Sequence, residues 1–284
     1  MKVCVIGGLG LIGNGVCSVL SRISGMKLCL TYSKTSHSNL KKYDDDCYVY
    51  FDYRDKNSLN NIFEVKPDII INCAGITKHI IDRFDKKDVY LINSDLPIYL
   101  DSVTKIKNFK FIQISTDCVF RGNKGNYSEK DTPDALDLYG NSKIQGEKLL
   151  NSLILRTSTI GHEIETNYGL LEWFLNQQKE CYGYKNAFFS GITNTELGLI
   201  IKEFILPNIN QIKGLYNLSA IKINKYDLLT IFSNFYNKNI NIKSNFDIKI
   251  DRSLDSTKFK DALRYEPKSW EEMLAESQKF KNYE

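Results

Sequence analysis

The sequence has no run of about 18 unbroken apolar residues, which argues against a membrane span. It also has no Cys-x-x-Cys pair. Its seven cysteines stand at 4, 17, 29, 47, 73, 118 and 181, an odd number. A secreted disulfide scaffold wants an even set in a shorter chain, and a zinc site wants close pairs, so reduced thiols in the cytosol fit better. Neither His37 nor His79 has metal-ligand spacing. There is little excess charge: 38 Lys and Arg against 34 Asp and Glu leave +4, too weak for a dedicated nucleic-acid binder. No internal repeat is visible. What remains is ordinary globular composition, with 42% hydrophobic and 25% charged residues in 284, room for one large domain or two modest ones. Lys2 followed by VCVIGGLGLIGNGVCSVL resembles a signal peptide in composition. Five glycines between Gly7 and Gly15 would break an apolar helix there, so the stretch is expected to be folded structure.

The first half alternates short apolar runs with helical patterns. Val3 to Ile6, Lys27 to Thr31, Tyr48 to Phe51, Asp68 to Asn72 and Phe109 to Ile114 read as strands. DIIIN and FKFIQIS lack polar alternation, as strands buried on both faces of a parallel sheet do. Helices are expected at about 11–24, 57–65, 87–105 and 137–151, with Pro67 closing the second. This rhythm implies a doubly wound α/β sheet. After a sixth strand, Leu153 to Arg156, the pattern loosens. Helices at about 167–180, 194–206, 224–237 and 269–281 alternate with strand-like GLYNLS and FDIKI, and the Asn- and Lys-rich piece from Asn234 to Asn245 reads as a surface connection.

Three motifs carry chemistry. Gly7-Gly8-Leu9-Gly10-Leu11-Ile12-Gly13 follows the first strand and opens the first helix. Missing side chains let backbone approach a pyrophosphate, and free amides at the helix start attract its charge. The alternative is a tight strand–helix turn with no ligand. At the end of the second strand, where an acid would grip the ribose of NAD, stands Thr31-Tyr32-Ser33-Lys34. No Asp or Glu precedes Asp44, while Lys34, Lys41 and Lys42 lie nearby. Ser33 and Lys34 suit a 2′-phosphate, favouring NADPH over NADH, unless these lysines are simply solvated. Third, Tyr139-Gly140-Asn141-Ser142-Lys143 places a phenol and an ammonium four apart on one helix face, where the ammonium would ease phenolate formation. Ser115-Thr116-Asp117 ends a buried strand upstream, where open α/β sheets bind ligands.

With these elements in order, the sequence resembles the extended short-chain dehydrogenase/reductase superfamily, and within it the dTDP-4-dehydrorhamnose reductase family of sugar-nucleotide reductases. The carrying segment is STDCVFRGNKGNYSEKDTPDALDLYGNSKIQGE, residues 115–147. It is similar to that family's Ser-Thr-Asp, Val-Phe, glycine turn, Tyr-x-Glu-x-Asp and Tyr-Gly-x-x-Lys-x-x-Gly-Glu. Weaker echoes are Arg156-Thr157-Ser158 and Arg252-Ser253-Leu254-Asp255. The resemblance implies a Rossmann-type doubly wound parallel sheet over residues 1–160. A smaller C-terminal α+β substrate region, 161–284, would follow, part of it free to return and pack on the sheet.

It implies Thr116, Tyr139 and Lys143 as catalytic triad. Gly7, Gly10, Leu11 and Ile12 would form the phosphate turn, Asp52 and Tyr53 would line the adenine, and Cys73, Ala74 and Gly75 would pass the cofactor. Asp117 would touch substrate, Trp173 would line the sugar pocket if it is not core, and Arg252 would pair with the nucleotide pyrophosphate if it is not a surface ion pair. The implied reaction is NADPH-dependent reduction of a nucleoside-diphosphate 4-keto-6-deoxy sugar, with NADH as the lesser alternative. It would take place in the cytoplasm and feed a surface glycan, with neither nucleic acid nor membrane as partner. A homodimer is left open.

One position departs from the pattern: the reductases have tyrosine where this chain has Cys118. In the related GDP-fucose synthase group a cysteine stands there and works with a histidine to epimerise carbons beside the ketone. His162, which aligns poorly to the family histidine, is the one best placed to help, and the favoured reading of Cys118 is a small buried hydrophobe rather than an acid–base group. The 4,6-dehydratase pattern of Asp-Glu after the triad threonine is absent. A third alternative is a regulatory subunit that keeps the fold and binds the cofactor without turnover; an intact Thr116, Tyr139 and Lys143 speaks against it.

Overall fold

Val3 and Val5 pack into one apolar cluster, Cys4 and Ile6 into another, and all four are fully buried. Successive side chains of a strand point to opposite faces, so a strand like this needs a layer on each side. Ile69 and Ile71 divide from Ile70 in the same way, as do Ile112 and Ile114 from Phe111. The computed structural model describes residues 1–33, 47–55, 57–164 and 167–280.

The elements of the first half are β1 (Lys2–Ile6), α1 (Leu11–Leu20), β2 (Lys27–Tyr32), β3 (Cys47–Tyr50), α2 (Ser58–Glu64), β4 (Ile69–Asn72), α3 (Lys86–Tyr90), α4 (Leu96–Lys107), β5 (Lys110–Thr116), α5 (Leu138–Gly146) and β6 (Leu153–Thr157). A wide helical turn, Leu91–Asp95, joins α3 to α4. The second half contains β7 (Thr159–Ile160), α6 (Leu170–Leu175), β8 (Glu180–Tyr184), β9 (Ala187–Phe189), β10 (Ile192–Thr193), α7 (Asn194–Ile200) and β11 (Gly214–Asn217). Then come β12 (Ile223–Asn224), α8 (Lys225–Phe235), β13 (Asn241–Asn245), β14 (Ile250–Asp251), α9 (Thr257–Leu263) and α10 (Trp270–Lys279). None of the described helices is long and apolar enough to cross a membrane.

The central sheet has the order β11-β6-β5-β4-β1-β2-β3, and every pairing in it is parallel. The chain runs outward from β1 in both directions, so the order reverses between β1 and β4. The carboxyl ends of those two strands therefore open a crevice. The seventh strand, β11, comes from the second half and pairs with β6. The second half also sends α7 back to α1, where the Asn194 amide donates to the Leu11 carbonyl at 2.7 Å.

Several elements differ from their sequence patterns. The helix expected over 137–151 ends at Gly146. The amides of Leu150 and Asn151, which would have continued it, donate instead to the buried Asp101 carboxylate, each at 3.0 Å. The Asn- and Lys-rich piece is no mere connection: Asn241–Asn245 forms β13, paired in parallel with β8, while Ile240 and Ile242 pack on the larger core. Of FDIKI only the final isoleucine enters a strand, and Phe246 and Ile248 are exposed. The helix expected over 167–180 is limited to α6, because Glu180 already begins β8.

Candidate functional site

The crevice starts at the glycine turn. Gly7 has φ +75°, and a Cβ there would lie 2.9 Å from the backbone of Ala74 on the facing loop. A Cβ on Gly13 would stand 2.1 Å from the Gly7 carbonyl oxygen. Both positions need glycine for the turn to close. Around Gly10 the space is open, since a Cβ would meet only the Gly7 oxygen at 3.4 Å. Gly10 caps α1 without any side-chain acceptor, and no acid lies in the first turn. The helix start, with the amides of Leu11 and Ile12, is thus a cradle for a negative group. The Gly7 amide donates to Thr31 Oγ1 at 3.0 Å, tying the turn to β2. Ser33 follows β2 directly. Lys34, with His37, Lys41, Lys42 and Asp44, lies outside the described residues.

Asp52 and Tyr53 follow β3 at the sheet edge. Asp52 accepts the Arg54 amide at 3.0 Å, and the Tyr53 hydroxyl donates to Asp88 at 3.3 Å. Burial first, then Asp88, pushes the Tyr53 phenol up. Cys73, Ala74 and Gly75 follow β4 across the crevice. Their loop is held from an unexpected direction: Asn93 accepts the Ile76 amide at 2.9 Å and donates to Ser142 Oγ on α5 at 3.0 Å. Burial pushes the Cys73 thiol up to about 12, against the pull of the Lys143 charge.

Thr116 ends β5, and its hydroxyl accepts the Cys118 amide at 3.1 Å. Facing it is α5, whose N-cap Asp137 accepts the Gly140 amide at 2.9 Å and the Lys78 ammonium at 2.8 Å. Tyr139 and Lys143 lie on this helix, four residues apart. Lys143 is 6% exposed and donates to the Ile114 carbonyl at 2.9 Å. Burial pulls its ammonium down to about 8, opposed by Glu147 and then Cys73. The Tyr139 phenol is pushed well above its ordinary range by burial, then by Cys118, while the Thr116 hydroxyl works the other way. Burial thus keeps the resting phenol protonated.

Beyond Thr116 the site becomes charged. Asp117 is buried, and burial raises its carboxyl against the opposing charges of Arg252 and Lys225. Arg252 donates through Nε to the Phe120 carbonyl at 2.7 Å and through Nη1 to Cys118 Sγ at 3.9 Å. Burial and then Asp117 push the Cys118 thiol up to about 12, while Arg252 and Lys78 work against them. Lys225, the first residue of α8, is itself pulled down by burial and held up by Asp117 and Cys118. Lys78, Asn93 and Lys225 are not distinguished by any motif. Only the folded register brings them to the site.

Two residues stand apart from this bonding. Trp173 is 37% exposed on α6, and its carbonyl accepts from the Gln177 side-chain amide at 2.8 Å while its indole makes no hydrogen bond among the described residues. His162 is engaged through both ring nitrogens, Nδ1 with Glu172 at 2.6 Å and Nε2 with the Tyr236 hydroxyl at 3.1 Å. The histidine that the epimerase alternative would use is thus bonded to Glu172 and Tyr236.

The sheet order, the glycine turn at the reversal and the cluster at the end of β5 define an extended short-chain dehydrogenase/reductase fold. Within that class the chain belongs to the family described as RmlD substrate binding domain, whose profile matches residues 1–180. It is 37% identical over 109 residues to a dTDP-4-dehydrorhamnose reductase of Aggregatibacter actinomycetemcomitans, a match taking in 36% of this chain and 37% of that one. The chain spans less than two thirds of the length of the curated relatives it matches. The crystal structure of a hypothetical dTDP-4-dehydrorhamnose reductase from Sulfolobus tokodaii superposes with a TM-score of 0.77 at 26% identity, over 93% of this chain and 95% of that one. A Bacillus anthracis dTDP-4-dehydrorhamnose reductase in complex with NADP shares the fold at TM-score 0.75 and 18% identity, with 98% of each chain covered.

Proposed function

We propose that the protein is an NADPH-dependent reductase of a nucleoside-diphosphate 4-keto-6-deoxy sugar, acting in the cytoplasm on a surface-glycan precursor. The observation that carries the reading is the Tyr139 phenol of α5 hydrogen-bonding with Thr116 at the end of β5, with Lys143 one turn further along the same helix and bonded to Ile114 of that strand, beside a glycine turn shaped for a pyrophosphate. The residues fit a dinucleotide. The open space at Gly10 and the uncapped start of α1 would hold the pyrophosphate, and Lys143 would hold the nicotinamide ribose. No acid stands at the end of β2 to repel a 2′-phosphate, and the Bacillus anthracis relative holds NADP. When bound, the nicotinamide supplies the hydrogen and electron pair that the ketone carbon accepts.

The chain's own residues handle the oxygen. The Tyr139 phenol, kept protonated, donates its proton to the developing alkoxide, and Thr116 hydrogen-bonds that oxygen. The charged form of Lys143 stabilises the transient phenolate until solvent restores its proton. On the far side, Asp117 would contact the sugar, and Arg252 with Lys225 would face the diphosphate. In this division residues 1–160 bind the cofactor and 161–284 supply most of the substrate contacts. Cys118, a neutral thiol beside Arg252, and His162, bound to Glu172 and Tyr236, favour reduction without epimerisation.

The test is NADPH oxidation by the purified protein with a set of nucleoside-diphosphate 4-keto sugars. Turnover with at least one 4-keto-6-deoxy sugar, and a tighter titration for NADPH than for NADH, are expected. Cofactor binding with no turnover on any of them would refute the assignment.

A further inference from the structure

Glu147, the C-cap residue just after α5, grips two strands at once. Its Oε1 accepts from Ser115 Oγ at 2.5 Å and from Arg156 Nε at 2.9 Å, and its Oε2 accepts from Arg156 Nη2 at 2.6 Å. Ser115 on β5 and Arg156 on β6 are register partners, one rung before Thr116 and Thr157. One turn earlier on α5, Lys143 donates to the carbonyl of Ile114, the residue just before Ser115. Successive turns of α5 thus hold successive residues of the strand that ends in Thr116. The Arg156 and Glu147 side chains are only 3% and 7% exposed. Replacing so enclosed an ion pair with apolar residues is often neutral or stabilising, so bulk stability is a weak reason for its presence.

We propose that Glu147 is a positioning residue of the reaction, locking α5 onto the β5–β6 rung that precedes Thr116 and lending the Lys143 ammonium its counter-charge. This rests on the reductase reading above. The charged groups around Lys143 are few. Glu147 and Tyr139 share its helix, Cys73 faces it from the end of β4, and Arg156 on β6 is committed to the Glu147 carboxylate. Tyr139 and Cys73 are neutral at pH 7, because burial raises both. Glu147 is the first of the groups that oppose the burial of Lys143.

The experiment is an NMR titration of the ligand-free protein carrying ¹³C-labelled lysine, with Lys143 assigned by its loss in Lys143→Met. In Glu147→Gln the Lys143 ionisation constant is expected to rise about tenfold, moving its midpoint below the wild-type value. The alkaline fall of the reduction rate should move to lower pH by the same factor, with activity recovered on acidification. Should Glu147→Gln fail to fold, because Arg156 is left buried and unpaired, Glu147→Gln with Arg156→Gln removes the whole ion pair and should move the midpoint in the same direction by a smaller amount. Glu147→Asp keeps the charge and shortens the reach, so its midpoint should stay near wild type while kcat falls. An unchanged Lys143 midpoint in the folded Gln variants overturns the proposal. No substrate enters the titration, so failure of the reductase reading would appear separately, as missing turnover with the titration shift intact.

Discussion

On the proposed dinucleotide side of the crevice the walls are backbone, whereas across from it they are charged side chains. Gly7, Gly10 and Gly13 shape the first wall, where the nearest atoms belong to main chain. Asp117, Arg252, Lys225 and Lys78 shape the second, drawn from segments spread between positions 78 and 252. A surface made by steric approach tolerates little change in shape. One made by opposed charges tolerates changes in shape but not in charge.

The sharpest way to probe the comparison is at the junction of the two walls. Tyr139→Phe should cut turnover by about 10²–10⁴-fold while leaving NADPH affinity near wild type, the usual scale for a positioned acid–base group. Stopped-flow reduction with a cofactor titration would measure both, and near-normal turnover would break the assignment. On the backbone wall, Gly13→Ala forces a methyl group against the Gly7 carbonyl. Weaker NADPH binding and a loss of about 1–3 kcal/mol in stability are expected, read by titration and denaturant melts. On the charged wall, Lys225→Met should raise KM for the nucleotide sugar about tenfold, as expected for a lost charged hydrogen bond, and leave NADPH affinity alone. A change confined to NADPH binding would invert the comparison.

Acidity is a further handle. Lys143 loses its charge as pH rises through about 8, so reduction should fall above that pH, as a pH–rate profile would show. The smallest effect is expected at Cys118. Cys118→Ser should change turnover by less than about tenfold, below the acid–base scale. In heavy water the wild type should place no enzyme-dependent deuterium beside the ketone. Rapid, cysteine-dependent incorporation would promote epimerisation and leave the hydride chemistry in place.

What could be read from the residues alone followed the range over which each feature is determined. The glycine turn, the buried strands and the spacing of Tyr139 and Lys143 are local, set by strand alternation or by the helical repeat, so they were legible. The stop of α5 at Gly146 was not, because the acceptor for the Leu150 and Asn151 amides is Asp101 on another helix. Nor was the meeting of Ser115, Glu147 and Arg156, which depends on the register of β5 against β6. Lys225 reaches Asp117 only through the packing of the second half, and His162 found Glu172 and Tyr236 by the same route.

The seventh strand has a consequence for how the chain is made. β6 is complete at Thr157, but its outer neighbour begins only at Gly214. At ribosomal speeds of about 5–20 residues per second, residues 158–213 take roughly 3–11 s to emerge. A nascent chain in which β6 has already paired with β5 would present, throughout that interval, an open row of amides and carbonyls along the buried strand Leu153–Thr157, the kind of edge that recruits a neighbouring chain. Synthesis would then pass through a sticky stage that ends when Gly214–Asn217 docks on β6. A nascent chain stalled between these points would be a substrate for chaperones, and the yield of the full-length protein would depend on how quickly that gap is crossed.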